Sequence, residues 1–136
     1  MSYIEIEELK THAYDEEIKE IIRQDETIAL AAIDMAQEFA ESKLMKHYDI
    51  EAIFSQTGTE RSPLLIKFIK DIAIWEIIGL SNPSIDYEDK KLRYQDAVNW
   101  LTAVYKGMPA NFPRKEEEVS SSSFAFKSNP KRVNRY

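Results

Sequence analysis

Cysteine is absent from the 136 residues of this chain, glycine occurs three times and histidine twice. Without cysteine there is neither a disulfide framework nor a thiolate metal site, which fits a protein made and kept inside a cell. Gly58, Gly79 and Gly107 stand too far apart to build a phosphate-cradling loop of the Walker or dinucleotide type. His12 and His47 lack H-E-x-x-H spacing and read as surface side chains. The acidic runs Asp15-Glu16-Glu17, Asp86 to Asp89 and Glu116 to Glu118 lack the central glycine of a calcium loop. Ser120 to Ser123 have no G-x-S-x-G around them. These absences remove the common routes to catalysis, so the expectation is a binding protein with no enzymatic activity, no cofactor and no metal.

A long uninterrupted apolar run is also missing. The nearest, residues 64–80, is broken by Lys67, Lys70, Asp71 and Glu76, too many charges for a membrane span of about 20 apolar residues. The first residues, MSYIEIEELKTH, carry acids where an export signal needs bases and an apolar centre. The chain therefore reads as soluble, with no membrane partner. Its net charge of −6 is unevenly spread: residues 1–60 hold 15 acids against 5 bases, whereas residues 119–136 hold 4 bases and no acid. The acidic body should repel a polyanion, and the basic end should attract an acidic surface or a phosphate backbone.

The periodicity that is present is helical. Residues 15–24 give a short amphipathic helix through Ile18, Ile21 and Ile22, after a lead segment that begins near Tyr3. A stronger helix begins at Asp25, where Asp25 or a neighbour can cap the first turn, with apolar residues at Ile28, Ala29, Ala32, Ile33, Met35, Ala36, Phe39, Ala40 and Leu44. Residues 50–55 are left open as a short strand or a connection, before a turn at Gly58. Ser62-Pro63 opens the next helix, which runs to about Leu80 and is apolar on nearly every side. Its surface exceeds what so small a domain is expected to cover, so part of it is assigned to contact with another subunit. The last helix opens at Asp86 and carries Tyr94, Ala97, Val98, Leu101, Val104, Tyr105 and Met108, until Gly107 and Pro109 stop it. Trp100 stands at the margin of that stripe, where it either covers its own bundle or anchors a neighbour.

The fold class expected is all-α: a bundle of about four helices over residues 1–108, followed by an extended, basic, serine-rich arm over residues 109–136. In the arm, Phe124 and Phe126 alternate with small residues as an added strand requires, and Lys127, Lys131, Arg132 and Arg135 supply charge. Those six, with Trp75, Trp100 and Tyr136, are the candidate partner-binding residues. An acidic body with a basic aromatic arm also suits a small helical regulator or nucleic-acid-binding adaptor that uses the arm on phosphate.

The succession of elements over residues 3–107 resembles the small head-tail joining proteins of tailed bacteriophages, the phage Mu-type connector family. The residues carrying the resemblance are Ala31, Ala32, Ile33, Asp34 and Tyr48 in and after the long amphipathic helix. They continue with the proline-initiated SPLLIKFIKDIAIWEII and the closing helix with Arg93, Tyr94, Ala97, Lys106 and Gly107. DIEAIFSQTGTE and the arm after Gly107 are particular to this chain. The resemblance implies a structural virion protein at the head-tail junction, made in the bacterial host cytoplasm. It implies a ring of identical subunits docked on the portal protein, facing a tail or stopper protein. DNA would pass through its channel without specific binding, repelled by an acidic lumen.

Overall fold

Asp25 shows how this sequence places its helix boundaries. Its backbone is extended (φ −144°, ψ 92°), and its carboxylate accepts from the Thr27 amide at 3.1 Å and from the Thr27 hydroxyl. That satisfies a backbone donor that the first helical turn leaves unpaired. The computed structural model, which describes residues 3–12, 16–81 and 87–115, is all-α, with no sheet among the described residues. Its helices are α1 (Ile6–His12), α2 (Glu16–Gln24), α3 (Glu26–Leu44), α4 (Ile50–Phe54), α5 (Pro63–Ser81) and α6 (Glu88–Tyr105). The expected openers Asp15 and Asp86 lie outside the described residues.

Four helices make the main bundle. α3 packs along α5, α5 along α6, α3 touches α6, and α2 lies against α3 and α5. The core gathers Ile4, Leu9, Ile18, Ile22, Ile33, Leu44, Leu65, Ile69, Ile77 and Leu101, all fully buried. α5 starts as the Ser62-Pro63 pair predicts, with the Ser62 hydroxyl accepting from the Leu65 amide at 3.3 Å. α6 ends where Gly107 takes φ +121°, a conformation that a β-carbon disfavours.

Three expectations are revised. Residues 50–54 form neither a strand nor an irregular connection but the one-turn helix α4, capped by Asp49, whose carboxylate accepts from the Ala52 amide at 3.1 Å. The all-round apolar α5 is covered by its own chain: Leu65, Phe68, Ile69, Ile72, Ala73, Ile74, Ile77 and Ile78 are buried, and its large exposed apolar residues, Leu64 and Leu80, stand near its two ends. No large apolar face of α5 is therefore left for a second subunit. Met35, placed by its spacing in the buried stripe of α3, is 41% exposed on the outer side of that helix. The buried row there is narrower, running through Ala29, Ala32, Ile33, Ala36, Ala40 and Leu44.

Asp71 on α5 is buried and receives Lys67 Nζ at 3.3 Å from one turn earlier. The lysine head stays half in water, so the pair bridges the core edge and the solvent.

Candidate interaction surfaces

Trp75 and Trp100 sit in two separate aromatic groups. Trp75 on α5 stacks on Tyr94 of α6 (centroids 5.6 Å, 26° between planes) and meets Tyr87 edge-on at 5.7 Å. Trp100 on α6 leans on Phe68 of α5 at 5.1 Å and makes a T-shaped contact with Phe112 at 6.1 Å. Both are half-buried against rings of their own chain. The other sequence-derived candidates, Phe124, Phe126, Lys127, Lys131, Arg132, Arg135 and Tyr136, lie outside the described residues.

The segment after Gly107 does not leave the body at once. Phe112 packs between Trp100 and Tyr48, with its ring edge-on to Tyr48 at 5.7 Å. The Tyr48 hydroxyl, buried with its ring, accepts from the Ala110 amide at 2.9 Å. An isolated antiparallel bridge joins Tyr48 to Arg114: the Asp49 amide donates to Pro113 O at 2.9 Å and the Lys115 amide to His47 O at 3.3 Å. The Arg114 guanidinium lies over the Tyr48 ring at 5.2 Å. Residues 108–115 thus form a strap across the end of α3, and the docked body reaches Lys115 rather than residue 108. Beside the strap, Pro63, Leu64, Trp100, Pro109 and Phe112 line an open groove of about 640 Å³.

A second fastening holds the beginning of the chain. Tyr3 is buried; its ring meets Phe54 edge-on at 4.9 Å, its hydroxyl accepts from the Ser62 amide at 3.2 Å, and its amide donates to Gln37 Oε1 at 3.0 Å. Arg61 grips the same segment, donating to Tyr3 O at 2.8 Å and to both Glu8 oxygens at 2.9 and 2.6 Å. This bidentate pairing holds the Glu8 carboxyl below its ordinary value, outweighing the opposing effect of burial, and raises Arg61 further. Burial pushes the Tyr3 hydroxyl up.

Charge is partitioned on the surface. The outer face of α3 shows Leu30, Ala31, Asp34, Met35 and Glu38, all exposed. Around the strap stand Lys43, Lys46, Lys106, Arg114 and Lys115, with Tyr105 exposed among them. Lys43 and Lys46 lie over the Tyr105 ring at 5.3 and 4.8 Å. His47 Nε2 is 3.1 Å from Tyr105 O; the His12 side chain lies outside what the structure describes. Among the described residues there is no cluster of metal-ligating side chains, and no helix is long and apolar enough to cross a membrane.

Sequence reasoning missed the strap, the Arg61 grip and this basic end. Arg61 and Glu8 are 53 positions apart, so no local pattern links them. The basic end joins residues 43–46 to residues 106–115, each too short to stand out in an acidic chain. One signal was available for the strap: Phe112 between two prolines is a large apolar residue with little reason to lie in a solvated arm. Comparisons with family models, curated proteins and solved structures find no match for this chain.

Proposed function

We propose that this protein is a structural connector of a tailed bacteriophage: copies of the chain form a ring on the portal protein at the head-tail junction and present a surface to a tail or stopper protein. The observation carrying this reading is the helix succession. A short leading helical segment (α1 and α2), a long amphipathic helix, a proline-initiated apolar helix and a last helix closed at Gly107 follow the order that the resemblance implies, with α4 in the stretch particular to this chain. The exposed apolar residues Leu30, Met35, Met45, Leu92, Tyr105 and Met108 add support, since they give a small domain surface to bury against other chains. Association is then the whole activity, with no bond made or broken. The duplex slides through a channel whose acidic side chains repel it.

Electron microscopy of filled heads with and without the purified full chain tests the reading. The expected result is a ring of added density on the portal and, with tails supplied, restored head-tail joining. Heads that gain no density at saturating protein would overturn it. Removal of residues 119–136 tests the arm separately: attachment is expected to fall, and unchanged attachment would remove the arm from the mechanism.

A further inference from the structure

The basic end of the bundle gathers cations that, like Lys70 and Lys91, have no carboxylate partner among the described residues. Lys10, Lys19, Arg23, Arg61, Lys67 and Arg93 each reach a carboxylate within 4.0 Å. Lys43, Lys46, Lys106, Arg114 and Lys115 have no such partner among the described residues, although acids outnumber bases 24 to 18 in the chain. Helix polarity accounts for part of this, because Lys43, Lys46 and Lys106 complement the negative C-terminal ends of α3 and α6. Arg114 and Lys115 belong to no helix, and the strap bridge brings them there. Among the described residues the nearby acids are otherwise engaged or peripheral: Asp49 caps α4, half-buried Glu41 accepts from Gln37 at 3.1 Å, and exposed Glu51 stands at the margin, while Glu116 to Glu118, next in sequence after Lys115, lie outside the described residues. Met45, Tyr105 and Met108 lie among the cations, 50%, 39% and 38% exposed.

We propose that this basic end docks on the outer face of α3 of a second copy of the chain, with its cations against Asp34 and Glu38 and its Met and Tyr side chains against Leu30 and Met35. The argument is complementarity on both counts. The outer face of α3 carries acids without ion-pair partners among the described residues, next to apolar side chains 44% and 41% exposed. A phosphate backbone would match the cations but not the apolar residues, and the acidic body around them repels it. The two surfaces occupy different places on one molecule, so the contact is head-to-tail, and its repetition closes a ring when the rotation permits. The inference identifies the partner surface within the ring proposed above and rests on that reading for its closure.

The test uses the full chain and two surface variants, Lys43→Glu with Lys46→Glu and Asp34→Lys with Glu38→Lys, followed by sedimentation velocity. Native association is expected to weaken as NaCl rises from about 50 to about 500 mM. Each variant alone is expected to lose about tenfold or more in association, and an equimolar mixture of the two to regain part of it, because in an alternating chain the reversed side chains face charges of opposite sign. Circular dichroism checks folding; if the first variant does not fold, Lys106→Glu with Lys115→Glu replaces it. A native protein that stays monomeric at all salt concentrations overturns the inference, as does association that neither variant changes. So does a lysine-dependent, salt-sensitive affinity for a duplex of about 20 base pairs without self-association. Head attachment is scored in its own assay: rings on the portal that ignore the charge reversals defeat this interface and leave the connector reading standing, whereas salt-sensitive assembly without head attachment does the reverse.

Discussion

α3 and α5 are both 19 residues long and lie side by side, yet they divide the work of the domain. α5 gives Ile69, Ile72, Ile74, Ile77 and Ile78 to the core and little to the surface. α3 meets it mainly through alanine, which brings the two axes together and leaves an outer face free. An isoleucine row fills the interior; an alanine row supports a helix whose other side stays available. Apolar content alone therefore does not identify an interface: the most apolar helix here is the most thoroughly covered, and the surfaces proposed above for docking lie on more polar ones.

The largest effect should come from hollowing α5. Ile69→Ala is expected to cost about 2–5 kcal/mol in urea unfolding, since the side chain is fully buried and its place cannot be refilled cheaply. A cost below about 1 kcal/mol would mean that α5 is not the rigid member of the pair. Ala36→Leu tests the other side of the seam: three carbons added at a fully buried alanine should cost about 1–3 kcal/mol by overpacking.

The grip just before α5 gives a pH signature. Glu8 has its folded pKa lowered from 4.5, so its contribution is fully present above that value and is lost as the pH falls through the lowered one. The stability difference between the native chain and Arg61→Met should therefore shrink with acidification over that window, as followed by thermal melts. A difference that grows on acidification would refute the pairing. The smallest effect belongs to the outer face of α3: Leu30→Ser with Met35→Ser should change stability by within about 0.5 kcal/mol per site while weakening association.

The legible parts of this fold were those with repeats or punctuation. α3, α5 and α6 declare themselves by period, and Asp25, Ser62-Pro63 and Gly107 mark three of their ends as expected. α4 was illegible because IEAIF is too short for a period, and four of its five residues are apolar in either conformation. The coverage of α5 was misjudged because sequence shows how much apolar surface exists but not how closely an alanine row lets a neighbour approach. Of the residues named from sequence, both tryptophans pack in aromatic groups of their own chain and the others lie outside the described residues, whereas the basic end is made by tertiary proximity, with Tyr48 holding Arg114 beside residues far from it in the chain.

Tyr48 also fixes an origin. By anchoring the strap to Lys115, it sets the origin from which the last 21 residues are measured. Whatever conformation those residues take, a fully extended chain gives them a radius of about 70–75 Å. Loosening the Tyr48 bond would move that origin back toward Gly107 by several residues and widen the sphere accordingly.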